Sequence, residues 1–104
     1  MKLLAAVFAC ASIFVAGAAT ADQAENLIKK SGCLACHAVD SKKIGPSFLQ
    51  IATKYRGDAG AMPMLLEKVR KGGSGAWGKV MMPPNPALAD ADLQMMIGYI
   101  LATK

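Results

Sequence analysis

The sequence predicts an all-α domain of about four helices, and three observations carry that prediction. Four stretches place apolar residues at spacings of three and four. No stretch alternates apolar and polar residues as a half-buried strand would, and there is no internal repeat or low-complexity tract. The length of 104 residues fits one small domain and excludes a two-domain enzyme with a buried cleft between its halves.

The apolar excess is concentrated at the start of the chain. Residues 1–21 read as a secretory leader: Met1 and Lys2 form a short positive region, Leu3 to Gly17 an apolar run, and Ala19-Thr20-Ala21 a cleavage site before Asp22. A run of about 15 apolar residues falls short of the roughly 20 that span a bilayer. Val7-Phe8-Ala9-Cys10 loosely resembles a lipobox, but Phe8 is too bulky for that motif. Cleavage leaves residues 22–104 as the domain, with no membrane span, and loss of Lys2 lowers the formal charge from +5 to +4.

The first helix is expected from about Asp22 to Ser31, with Ala24, Leu27 and Ile28 on one face. Its acidic start, Asp22 and Glu25, and its basic end, Lys29 and Lys30, suit the helix dipole. The second should begin near Pro46, carry Phe48, Ile51, Ala52 and Tyr55 on one face, and stop at Gly57. The third repeats the spacing with Met62, Leu65, Leu66 and Val69, has Pro63 in its first turn, and runs into Gly72-Gly73. The fourth has Asp90 and Asp92 at its start and Leu93, Met96, Ile97, Ile100 and Leu101 on one face. Between the last two helices lies Gly72 to Ala89, rich in Gly and Pro and expected to be neither helix nor sheet. It carries Trp77, Met81 and Met82, which are costly to leave in water, so this loop should wrap something.

The chemistry starts at Cys33-Leu34-Ala35-Cys36-His37. At the end of a helix, cysteines three apart face the same side, so both thiols can reach the two vinyl groups of one haem as thioethers while the adjacent imidazole points at the iron. A zinc site needs four ligands, and beyond the leader there is no other Cys and no other His. A thioredoxin-type dithiol needs a βαβ setting that the helical and Gly-Pro flanks do not provide. A disulfide across two intervening residues would be strained and would close a loop too short to stabilise much. Haem attachment alone also uses His37. A porphyrin would in addition supply the core that a domain of about 80 residues struggles to build for itself.

His37 is the only histidine in the chain, so the second axial ligand within one subunit must be another residue. A methionine sulfur is the natural choice, and it raises the reduction potential. Met62, Met64, Met95 and Met96 fall on expected helices, where packing is the ordinary role of methionine, whereas Met81 and Met82 fall on the loop. Pro83 and Pro84 hold Met82 extended on a stiff support, a constraint that Met81 lacks.

Taken together, Cys33-Leu34-Ala35-Cys36-His37, then Gly45-Pro46, then Gly75-Ala76-Trp77-Gly78-Lys79-Val80-Met81-Met82-Pro83-Pro84-Asn85, closely resemble the small bacterial class I cytochromes c across nearly all of residues 22–104. The resemblance implies a fold of helices wrapped around one covalently bound haem c, with Met82 as the sulfur ligand. It implies that the Pro46 carbonyl orients His37 through its free ring nitrogen, that Trp77 lies near a haem propionate, and that Asn85 lies near the ligand sulfur. Two positions depart from the usual pattern: Met81 stands where Pro is common, and Lys68 where an Arg often binds a propionate.

The function implied is that of a periplasmic one-electron carrier rather than an enzyme, with both axial positions filled so that no substrate reaches the iron. Its partners would be redox proteins: a donor such as a quinol-oxidising complex and an acceptor such as a nitrite reductase or terminal oxidase. Lys29, Lys30, Lys42, Lys43 and Lys79 are expected to rim the exposed haem edge where a partner docks. The protein should be a monomer, and export separates it from nucleic acid despite its basic balance. The rival readings are a haem enzyme or gas sensor with a labile sixth ligand, and a dithiol oxidoreductase.

Overall fold

The computed structural model describes Ala9 and residues 21–104. The expected leader otherwise lies outside the described residues. The elements in order are α1 (Ala21–Lys30), a 3-10 turn (Cys33–Ala35), α2 (Phe48–Tyr55), α3 (Ala61–Lys71), β1 (Gly73–Gly75), β2 (Gly78–Met82) and α4 (Asp90–Leu101). All four expected helices are present. None of them is long and apolar enough to cross a membrane.

The helix faces anticipated from spacing are the faces that meet. α4 packs against α1, α2 and α3 in turn. Its Leu93, Met96 and Ile97 are buried together with Ile28 of α1 and Phe48 of α2. Links between elements reinforce this packing: the Tyr99 hydroxyl of α4 donates to Glu25 Oε1 of α1 at 2.5 Å. Arg56, just past α2, donates to the Leu101 carbonyl at 3.5 Å and to that of Thr103, satisfying carbonyls at the end of α4.

The second helix starts two residues later than Pro46, for a reason local to the sequence. Ser47 is its N-cap: the Gln50 N–H donates to Ser47 Oγ at 3.0 Å, and the Ser47 N–H donates to Gln50 Oε1 at 2.9 Å. Pro46 is left outside the helix, its carbonyl free for another partner.

The expectation that Gly72 to Ala89 contains no sheet is wrong. Gly73–Gly75 and Gly78–Met82 form an antiparallel hairpin, with Gly73 opposite Met82 and Gly75 opposite Gly78. Gly75 and Gly78 have φ of 116° and 111°, so the two glycines flanking the Ala76-Trp77 tip supply backbone that other residues rarely adopt. The prolines that argue against a strand all follow Met82 and interrupt nothing. The rest of the segment is tied back to α3. The Asn85 N–H donates to the Val69 and Arg70 carbonyls at 3.0 and 3.1 Å, and Arg70 pairs with Asp90 at the start of α4.

Candidate functional site

The motif lies on a 3-10 turn rather than at the end of α1. α1 stops at Lys30, Gly32 turns the chain at φ 77°, and Cys33–Ala35 follow as the turn with Cys36 as its C-cap. In a 3-10 turn the side chains at i and i+3 eclipse, so Cys33 and Cys36 share a face more closely than on an α-helix. Both are free thiols, half-buried, and both line one cleft. Burial pushes the Cys33 thiol above its ordinary range, against the smaller lowering effect of a backbone hydrogen bond. That setting favours the neutral thiol over the thiolate.

His37 is held from three sides. Its Nδ1 lies 2.6 Å from the Pro46 carbonyl, which can only accept, so Nδ1 carries the proton and Nε2 keeps its lone pair for a metal. Phe48 stacks on the imidazole with ring centroids 5.7 Å apart and planes 25° apart. On another side is Gly45, where a Cβ would come within 2.8 Å of His37 Cε1. The Gly45 N–H itself donates to the Cys36 carbonyl at 2.7 Å, so the strand of chain beside the ring is pinned to the motif.

Residues from α2, α3, α4 and the hairpin complete the cleft walls. Among the large apolar side chains exposed in the described residues, Ile44, Met64, Trp77, Val80 and Met81 all line this cleft, and only Val39 does not. So much apolar surface gathered in one concavity marks a site for a large apolar ligand. Met82, at the end of β2, is half-buried and lines the cleft, and Met81 lines it too but is 68% exposed. Gly72, with φ 70°, lies hard against the Met82 carbonyl: a Cβ there would overlap that oxygen and sit 2.9 Å from Pro84 N. The base of the hairpin is therefore fixed to the end of α3.

The residues expected for the site are thus brought together, with one set apart. Cys33, Cys36, His37, Pro46, Trp77 and Met82 line the cleft; Asn85 does not, and its Nδ2 donates to the Pro83 carbonyl at 3.4 Å. Lys68 of α3 and, among the five lysines expected at the haem edge, Lys42 line it as well. Sequence reasoning missed the part played by Gly45 and Phe48 in fixing the imidazole. Gly45 was visible only as the residue before Pro46, and Phe48 only as a member of a helix face.

Two free thiols on one face, a histidine with its Nε2 available and an apolar concavity fit a haem. A helical domain built this way is a covalent haem-binding domain, and comparison with known proteins gives its family. The family described as Cytochrome c matches residues 21–104. A cytochrome c-551 of Azotobacter vinelandii is 45% identical over 80 residues, covering 77% of this chain and 96% of that protein. A cytochrome c-552 of Nitrosomonas europaea is 42% identical over 97 residues, covering 93% of this chain and 92% of its own. The crystal structure of wild-type Nitrosomonas europaea cytochrome c552 superposes with a TM-score of 0.72 at 41% identity, over 77% of this chain and 99% of that one.

The chain belongs to the cytochrome c family, as a small monohaem class I member with one haem c attached through the Cys33-to-His37 motif. It is an electron carrier, not an enzyme.

Proposed function

We propose that the protein is a periplasmic one-electron carrier in which Cys33 and Cys36 would anchor the haem and His37 and Met82 would bind its iron. The haem supplies an iron that cycles between ferric and ferrous states. The chain's own residues do the rest. Pro46 and Phe48 hold the imidazole and leave Nε2 free for the iron, and the Gly72 contact with Pro83-Pro84 behind it holds Met82 at the end of β2. Trp77 lines the cleft where it can meet a propionate, and Asn85 supports the loop that carries the sulfur.

The observation that carries the choice of Met82 is the contrast between neighbours. Both line the cleft, but Met82 is half-buried with its carbonyl held against Gly72, whereas Met81 is exposed. Met82→Ala should abolish the weak near-infrared band of sulfur bound to ferric iron, lower the reduction potential and open the iron to added ligands. Met81→Leu keeps volume and should leave both band and potential nearly unchanged. A band that survives Met82→Ala and disappears in Met81→Leu would reverse the assignment.

Donor and acceptor are redox proteins, in kind a quinol-oxidising complex on one side and a nitrite reductase or terminal oxidase on the other. Docking of the monomer at the haem edge is supported by Lys42, which is exposed and lines the cleft; Lys29, Lys30, Lys43 and Lys79 are exposed but do not line it. Electron-transfer rates to an acidic partner should fall as salt rises, because screening at about 0.15 M already acts over roughly 8 Å. Rates indifferent to salt would leave the apolar rim of Ile44, Val80 and Met81 as the docking surface.

A further inference from the structure

The hairpin is fixed firmly at its base and sparsely at its tip. At the base, Gly72 lies against Met82 and Asn85 is bonded to the end of α3. The two strands pair only with each other. The tip, Ala76-Trp77, is exposed, and among the described residues one side chain reaches it with a hydrogen bond. That residue is Lys54, on the last turn of α2.

Lys54 makes three contacts at once. Its Nζ donates to the Ala76 carbonyl at 3.3 Å, lies 4.6 Å from the centroid of the Trp77 ring, and lies 5.4 Å from that of Tyr55. Tyr55 and Trp77 both line the cleft, one from α2 and the other from the hairpin. An ammonium between them joins the two walls, and its chemistry suits the place: several donors for a carbonyl and a compact charge for the aromatic faces.

We propose that Lys54 is a positioning residue, a clasp that bonds Ala76, covers Trp77 and so holds the hairpin tip against α2. The proposal rests on the reading of the cleft as the haem site. What it adds is the source of Trp77's fixed place in the wall. A long exposed side chain loses rotamer freedom in holding such a position, and the carbonyl and the ring faces together offset that loss.

The test compares Lys54→Met with Lys54→Arg in the holoprotein. Methionine keeps much of the length and loses the charge, whereas arginine keeps the charge and can both bond a carbonyl and stack on an indole. An exposed cation–π contact with a charge-assisted hydrogen bond should hold the tip closed by about tenfold, or about 1.4 kcal/mol. Lys54→Met should therefore speed amide exchange across the hairpin about tenfold, and should lengthen the fluorescence lifetime of Trp77, the chain's only tryptophan, as the indole moves away from the haem that quenches it. Lys54→Arg should restore both readouts.

Wild-type exchange and lifetime in Lys54→Met would overturn the clasp, as would equal disturbance in Met and Arg variants, which would make side-chain shape the determinant. A shifted reduction potential with exchange and lifetime unchanged would make Lys54 a distant charge and also overturn it. Failure of the haem reading is distinguishable, since the unsubstituted protein would then lack haem absorption.

Discussion

Replacing Gly45 with alanine is a direct steric test of how the proximal histidine is held. Gly45 does not have the positive φ that strains other residues, so the substitution adds a methyl group without forcing the backbone. That methyl would lie 2.8 Å from His37 Cε1, 3.1 Å from Nδ1 and 3.3 Å from the Cys36 carbonyl, so ordinary contact at 3.4 Å requires the ring to move by about 0.6 Å. The loop cannot easily retreat, because the Gly45 N–H is bonded to Cys36 at 2.7 Å. The ring is itself confined by the 2.6 Å bond to Pro46 and by the stacked Phe48. Overpacking of this kind costs about 1–3 kcal/mol, offset by about 0.4–1 kcal/mol from the less flexible unfolded chain. A net loss of about 1–2 kcal/mol lowers the melting temperature of a domain this size by about 4–16 °C. Thermal melting followed at the haem absorption, with NMR of the His37 Nδ1 proton, reads both the loss and the ring displacement. A melting point within about 2 °C of wild type, with that proton unshifted, would refute the claim that Gly45 is there to make room for the ring.

Gly72→Ala should do comparable harm at the other ligand, because its Cβ would overlap the Met82 carbonyl and its φ of 70° is strained for alanine. The variant should be destabilised by about 1–3 kcal/mol and show a weakened near-infrared sulfur band, and an unchanged band would mean that the hairpin base does not set the sulfur. Tyr99→Phe removes the hydrogen bond to Glu25 and should cost about 1 kcal/mol at neutral pH. That bond, with burial and the charges of Glu25 and Asp22 adding to it, raises the Tyr99 pKa above 10.0. The bond's contribution is therefore fully present below pH 10.0 and is lost as pH rises through the raised value. Denaturation curves of the two proteins should converge in strong alkali, and a gap that persists there would contradict the assignment.

How much of this was legible in the sequence follows from how local each feature is. The four helices announce themselves because each buries a stripe with a period near 3.6, and Leu93, Met96 and Ile97 are buried as that stripe requires. The start of α2 was misread because Pro46 is a good first-turn residue, while the Ser47–Gln50 capping box, also written in the sequence, outweighs it. The hairpin was hidden by its glycines, whose role depends on positive φ that composition does not display. In the site, Cys33, Cys36 and His37 fall within five consecutive residues and can be recognised at once. Pro46 came through the family resemblance, and the structure supplies its bond to His37. Gly45, Phe48 and Lys54 act on residues distant in the chain or through space left empty, which no spacing reveals.

The measurement that bears most directly on a carrier with His37 and Met82 at the iron is the optical spectrum of the purified holoprotein in its two redox states. Both axial positions filled by the protein predict a low-spin, six-coordinate spectrum in each state, with a weak near-infrared sulfur band in the ferric form. A high-spin spectrum in either state, or a ferric form without that band, would contradict the account and leave the iron open to substrates or gases.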